Sequence, residues 1–93
     1  MTIDDTRVFV TLTADTYATL NKRGRERFVE MAQRWAERLG VDVEIRHEPR
    51  IGGHAQYGVI NDGGDYRRAQ SIAWDVYSTA VEATAHDSYQ RRR

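Results

Sequence analysis

The residues best suited to chemistry are two histidines on either side of a stretch that contains Pro49 and Gly52-Gly53. A turn at that stretch would bring His47 and His54 close together, and imidazoles serve both as acid–base groups and as metal ligands. A zinc site, however, needs about three or four convergent ligands, and a hairpin supplies two. Neither a nucleophile nor an apolar pocket accompanies the pair. We therefore expect solvated histidines, with no catalytic residue, no metal and no cofactor.

A second candidate is Gly63-Gly64, which follows a predicted strand and precedes a predicted helix, as phosphate-binding loops do. Both glycines lie between Asp62 and Asp65, whose charges would repel an anion at the helix N-terminus. The sequence also lacks the P-loop and GxGxxG patterns. We therefore predict a turn followed by a helix that Asp62 or Asp65 caps.

A third candidate is a surface for unpaired bases, because aromatic and basic side chains are predicted to lie on the outer sheet face and at its hairpin tip. Unpaired bases stack on aromatic rings, while basic side chains contact phosphates. The candidate residues for this site are Phe9, Arg46, Arg50, His54 and Tyr57.

Two tripeptides of the 93-residue chain resemble a known family of nucleic-acid-binding domains. Val8-Phe9-Val10 resembles the first-strand motif of RNA-recognition-motif domains, and Tyr57-Gly58-Val59 resembles part of their third-strand motif. The resemblance implies that single-stranded nucleic acid binds to the outer sheet face. The chain departs from the family in lacking a fourth strand, in its longer first helix and in having Val59 where a second aromatic is expected. Single-stranded nucleic-acid binding is therefore the alternative function.

The histidines and the basic tip are positioned by the stretch from Val41 to Asp62, which predicts two strands joined by a turn. Val41, Val43 and Ile45 alternate with charged residues, the period expected of a strand with one buried face. The second arm, 55–61, has apolar residues on both faces. This pattern indicates a strand inside the sheet.

The remaining elements are one strand and two helices. Alternation predicts a strand at 7–13, and Gly40 is the predicted end of the helix that follows. This helix is predicted to begin after a cap at Thr13 or Asp15 and to bend near Asn21 to Gly24. Its apolar face is predicted to contain Tyr17, Leu20, Gly24, Phe28, Met31, Trp35 and Leu39. The second helix has an apolar arc wider than one sheet can cover, so a further surface is expected to pack there.

The order strand, helix, strand, strand, helix predicts a single α+β domain over residues 1–93, with a flexible arm at 1–6 and a frayed basic tail at 88–93. A right-handed crossover makes the first two strands parallel and places both helices on one face of a three-stranded mixed sheet. A third strand inserted between them gives the ferredoxin-like split βαβ arrangement without its last strand. A third strand on the outside is the alternative. In both arrangements we expect the first strand to have an open edge.

Composition narrows the classes of function. The chain has 14 basic and 14 acidic residues, so no net field attracts nucleic acid or an anionic membrane nonspecifically. It has no cysteine, which excludes disulfides and thiol chemistry. Neither a signal peptide nor an apolar run of about 20 residues is recognisable, so we expect a cytoplasmic protein that does not bind membranes.

The leading hypothesis is a non-enzymatic protein-interaction module, a homodimer that acts as a regulator or inhibitor of a larger protein complex. A chain of this size buries only about 60 to 65 per cent of its unfolded surface, so a partner surface would add stability. Aromatic residues left outside a small core are typical interface anchors. The interface candidates are Phe9, Thr11, Ile60, Trp74, Tyr77 and Val81.

Overall fold

The computed structural model of the chain describes residues 5–13, 20–48 and 55–84. These residues form strand β1 (Arg7–Thr13), helix α1 (Lys22–Leu39), strand β2 (Asp42–Glu48), strand β3 (Tyr57–Asn61) and helix α2 (Tyr66–Ala83). The α+β class, the element order and the three-stranded mixed sheet are confirmed.

The strand order is β2-β1-β3, so β1 lies in the centre of the sheet. Val8 of β1 lies opposite Val43 of the parallel strand β2 and opposite Val59 of the antiparallel strand β3. β3 lies on the outside of the sheet, as in the alternative arrangement, so its predicted insertion between β1 and β2 is wrong, and so is the open edge expected for β1. β1 and β2 are hydrogen-bonded neighbours, so the ferredoxin-like split is not formed, and the open edges belong to β2 and β3.

The apolar side chains of β1 and the charged side chains of β2 explain why β1 is the central strand. Val8 and Val10 are fully buried and Leu12 nearly so, which requires cover from neighbours on both sides. β2 alternates apolar residues with charged ones, a pattern that suits an edge strand because charges at an edge stay in water. The prediction from the sequence placed β3 inside the sheet, but it is a short edge strand.

Both helices pack on the face of the sheet to which Val8, Val10 and Leu12 point. A single core joins that face to both helices, and small residues line the helix contacts so that the backbones approach closely. The fully or almost fully buried helix residues are Phe28, Ala32 and Ala36 of α1 and Ala69, Ala73, Val76 and Ala80 of α2. The opposite face of the sheet is not covered by α1 or α2, and we call it the outer face.

Local capping sets the helix bounds. Asn21 precedes α1 and its Oδ1 accepts a hydrogen bond from the backbone N–H of Gly24 at 2.8 Å. α1 ends at Gly40, as predicted, where φ is +76° and the N–H donates to the carbonyls of Ala36 and Glu37. The predicted bend near Asn21 coincides with the start of α1, while the predicted caps at Thr13 and Asp15 concern a segment, 14–19, outside the described residues. Neither helix of the described ranges has the length and apolar character needed to span a membrane.

The chain is held in place before β1 begins. Thr6 is buried, its Oγ1 accepts a hydrogen bond from Arg68 Nη1 at 3.1 Å, and its carbonyl accepts one from the N–H of Asp42 at 3.3 Å. Thr6 lies at the end of the arm predicted for residues 1–6, of which residues 1–4 lie outside the described residues. The tail predicted at 88–93 lies outside the described residues.

Candidate protein-interaction site

The two histidines singled out from the sequence are not both described. His47 is an exposed residue of β2 opposite Leu12, while His54 and Arg50 lie outside the described residues. Within ranges 5–13, 20–48 and 55–84, no group of three or more His, Cys, Asp or Glu residues is placed to hold a metal ion.

The turn before α2 satisfies its own backbone donors. Asn61 Oδ1 accepts from the N–H of Gly63 at 3.0 Å, and Asp62 Oδ1 accepts from the N–H of Gly64 at 2.8 Å. Asp65 is the N-cap of α2, and its Oδ1 accepts from the N–H of Arg68 at 3.1 Å. An anion would have to displace these side chains, so the arrangement is that of a capped turn.

The outer face of the sheet carries a stack between a cation and an aromatic ring. The guanidinium carbon of Arg46 lies 3.9 Å from the centroid of the Phe9 ring. Arg46 Nε also donates to Glu44 Oε2 at 2.6 Å, and Arg7 Nη2 lies 3.5 Å from Glu44 Oε1. The ring also lies against Gly58 of β3, where an added Cβ would be 2.5 Å from Phe9 Cε2. Phe9 is therefore already packed between its two neighbouring strands.

These positions remove the main support for the nucleic-acid alternative. Tyr57 lies opposite Val10, whereas Phe9 lies opposite Gly58, so the two aromatic residues point to opposite faces of the sheet. Tyr57 contacts Trp74 and Tyr77 on the helix side. The expectation that Phe9 and Tyr57 share a stacking surface is therefore wrong, and the resemblance to RNA-recognition-motif domains loses its structural basis. Arg46 is engaged with Phe9 and Glu44.

The close approach of Phe9 to Gly58 predicts that one substitution at Gly58 changes the free energy of unfolding in opposite directions, depending on whether Phe9 is present. Gly58→Val is expected to lower the free energy of unfolding by about 1–3 kcal/mol, because the new side chain must push the Phe9 ring out of its stack with Arg46. In a Phe9→Ala background the same substitution should be neutral or stabilising, since valine favours a strand more than glycine does. Urea denaturation of the four proteins in this cycle measures both values. Equal effects in the two backgrounds would contradict the assigned contact.

Glu44 gives a prediction about pH. The hydrogen bond from Arg46, together with the charges of Arg46 and Arg7, lowers the pKa of the Glu44 carboxyl below its ordinary value. A carboxyl whose pKa is lower in the folded state stabilises the fold above its unfolded pKa, and this contribution is lost as the pH falls through the folded pKa. An NMR titration of Glu44 should therefore show a low midpoint that rises in Arg46→Gln. An unchanged midpoint in Arg46→Gln would contradict the assigned cause.

On the helix side, three aromatic rings form a cluster between β3 and α2. The Tyr57 ring centroid lies 5.5 Å from that of Tyr77 in a stacked arrangement and 5.5 Å from that of Trp74. Tyr77 also meets the buried Phe28 of α1 edge-on, with centroids 6.2 Å apart. The cluster is therefore anchored in the core at one end and reaches the surface at the other.

The surface end of the cluster is Trp74, which remains 50% exposed in spite of these contacts. Val81 is 41% exposed and lies two helical turns further along α2, on the same side of the helix. We call Trp74, Val81 and the partly exposed Tyr57 the aromatic flank. Because Tyr57 belongs to β3, the aromatic flank lies beside the open edge of that strand.

Comparisons with known proteins give no guide to function. No family model matches the chain, and neither the curated proteins nor the solved structures contain a significant match. The geometry of the aromatic flank and of the sheet is therefore the basis for a functional proposal.

The structure divides the interface candidates into two groups. Trp74, Val81 and Ile60 are exposed, and Phe9 is partly exposed. Tyr77 and Thr11 are 9% and 2% exposed, so in the single chain they support their neighbours and offer little contact surface themselves.

Tyr57 is a candidate of the predicted nucleic-acid site, although in the structure it belongs to the aromatic flank. The signal that assigns it to the helix side is its spacing of two from Val59, which faces α2 opposite Val8.

Proposed function

We propose that this chain is a non-enzymatic, cytoplasmic protein-interaction module that forms a homodimer through the aromatic flank and acts as a regulator or inhibitor of a larger protein complex. The observation that carries the proposal is the half-exposed Trp74 ring, held against Tyr57 and Tyr77. A tryptophan fixed in place but left in water is characteristic of an interface anchor.

The energetics of Trp74 support this role. An aromatic side chain buries about 150–250 Å² when fully covered, so half of a tryptophan leaves on the order of 100 Å² to be covered by a partner. At about 25 cal/mol per Å², covering that area contributes roughly 2–3 kcal/mol per copy. Contacts with Tyr57 and Tyr77 already restrict the ring, so binding loses little side-chain entropy.

Charge also favours association between copies. The chain carries 14 basic and 14 acidic residues, so two copies approach without net repulsion. The aromatic flank itself consists of uncharged residues. Contact between two such flanks therefore brings no charges of these three residues together.

A role without catalysis is supported by how the reactive groups are used. His47 is exposed on β2, and the carboxylates near the N-terminus of α2 accept backbone hydrogen bonds in the turn and at the cap. Glu44 is paired with Arg46 and Arg7. These groups do not converge on a common point at which a substrate would bind.

The mass of the protein in solution tests the proposal. Sedimentation equilibrium from micromolar to millimolar concentration should give a mass approaching twice that of the 10.7 kDa chain. A single-chain mass at every concentration would overturn the proposed homodimer. Affinity capture of other proteins from the native cell, using the wild type and a monomeric variant, would then test the regulatory role. Equal capture of the same complex by both would separate that role from dimerisation.

The nucleic-acid alternative has its own test. Fluorescence anisotropy of labelled single strands at low salt, where counterion release makes such binding strongest, is expected to show no binding. Saturable binding that Phe9→Ala and Arg46→Gln both weaken would restore the alternative and count against the proposed function.

A further inference from the structure

We propose that the bond between Asp62 and Gly63 is a site of spontaneous isoaspartate formation, and that the side chain of Asn61 holds this reaction in check. The modification is covalent and uses water as its only co-reactant. It changes the turn that joins β3 to α2. The inference does not depend on the proposed self-association.

The chemistry moves a peptide bond from one carbon of Asp62 to another. The backbone nitrogen of Gly63 attacks the side-chain carbon Cγ, an attack that is intramolecular because the two groups belong to neighbouring residues. A C–N bond forms, and the proton of the nitrogen leaves with a hydroxyl group of the carboxyl as water.

The resulting succinimide ring is then opened by a second water molecule. When this water breaks the bond between the Gly63 nitrogen and the original carbonyl carbon of Asp62, the main chain runs through Cβ and Cγ of Asp62. The former carbonyl becomes a free carboxylate. One water is lost and one is gained, so the composition of the chain is unchanged and nothing is oxidised or reduced.

The sequence favours this reaction at one place. Asp62 is the only aspartate that is followed by glycine, and no asparagine precedes a glycine. Glycine has no Cβ, so its nitrogen is approached without a steric clash and its backbone adapts to the ring. At the other aspartates the next residue carries a side chain that hinders the attack.

The turn holds the carboxyl of Asp62 beside the nitrogen that attacks it. Asp62 Oδ1 accepts a hydrogen bond from the N–H of Gly64 at 2.8 Å, so the carboxyl is bonded across Gly63. This hydrogen bond also stabilises the negative charge that develops on the oxygen during the attack. Gly63 is exposed, so water reaches the bond.

One hydrogen bond opposes the reaction. The N–H of Gly63 donates to Asn61 Oδ1 at 3.0 Å. The nitrogen attacks only when it gives up this proton, and the hydrogen bond stabilises the form that keeps it. Asn61 therefore keeps the nucleophile occupied, and the reaction proceeds when the turn opens locally.

The product does not fit the turn in its present form. The N–H of Asp65 donates to the backbone carbonyl of Asp62 at 3.1 Å, and Asp65 is the N-cap of α2. In isoaspartate that carbonyl is no longer part of the main chain, and the chain before α2 is longer by one carbon atom. The cap of α2 is therefore displaced, and we expect the modified chain to melt at a lower temperature.

Ageing of the full chain in neutral buffer tests the proposal. Peptide mapping by mass spectrometry, with fragmentation that distinguishes the two forms, measures isoaspartate at position 62. Asn61→Ala should be modified about twofold to tenfold faster than the wild type, the factor that corresponds to the loss of one ordinary hydrogen bond. Asn61→Asp is the matched control, because it keeps an acceptor oxygen in the same place, and its rate should equal that of the wild type. The wild type in urea should be modified faster than the folded chain.

The contrary results overturn the proposal at separate points. Absence of isoaspartate at position 62 of the chain in urea would overturn the site itself. Equal rates in Asn61→Ala and the wild type, or equal acceleration in Asn61→Asp, would overturn the role of Asn61. If Asn61→Ala does not fold, amide hydrogen exchange of the wild type by NMR decides instead. The Gly63 amide should exchange more slowly than in a short peptide of the same sequence, and equal exchange would overturn the protection.

Discussion

Trp74→Glu is expected to convert the proposed homodimer into monomers, with a dissociation constant at least about a hundredfold higher than that of the wild type. Each dimer contains two such residues, so the substitution removes roughly 2–3 kcal/mol of apolar burial per copy and places two carboxylates in the contact. Sedimentation equilibrium measures the change directly. Because Trp74 is 50% exposed, the single chain should keep its fold, which circular dichroism checks.

The matched control for this substitution is Gln33→Glu. Gln33 is an exposed residue of α1, the helix that packs beside β2 and away from the β3 edge, and the change adds the same charge. Dimerisation of Gln33→Glu should equal that of the wild type. If the two variants dissociate equally, net charge and not the aromatic flank controls association.

Phe28→Ala is expected to lower the free energy of unfolding by about 3–5 kcal/mol, because it leaves a cavity where a fully buried ring fills the core. A chain of this length is stable by only about 5–14 kcal/mol, so much of the stability is lost. The substitution also removes the edge-on contact with Tyr77, which holds the aromatic cluster in the core. Dimerisation should weaken as well, since Trp74 is positioned through Tyr77 and Tyr57.

Urea denaturation measures the loss of stability, and Phe28→Leu serves as the conservative control. Leucine fills most of the space, so its cost should be well below that of alanine. A cost below about 1 kcal/mol for Phe28→Ala would show that Phe28 is not the central core residue that its burial indicates.

The elements of the fold were predictable because their signals are local. Alternation of Val8, Val10 and Leu12 gave the bounds of β1, and Gly40 gave the end of α1 through its left-handed conformation. The strand order was not predictable in this way. Whether β3 pairs with β1 or β2 depends on which strand needs cover on both sides, and that becomes clear only when burial over the whole sheet is known.

One part of the candidate site was predictable because its signal is also local. Trp74 and Val81 follow from an apolar arc on α2 that is too wide for one sheet, which is a property of that helix alone. The stack of Arg46 on Phe9 requires the parallel register in which Phe9 lies opposite Glu44 and Thr11 opposite Arg46. A register between segments distant in sequence leaves no local pattern, so nothing in the sequence indicated this stack: Arg46 was predicted only as a nucleic-acid contact, and Phe9 both as such a contact and as an interface residue.

The charged β2 edge has a consequence for the size of the assembly. Every chain has two sheet margins, and chains that could pair at both would polymerise without limit into a filament. Asp42, Glu44, Arg46 and Glu48 place charges along the β2 margin, which keeps a further strand from adding there, so the sheet cannot extend without limit.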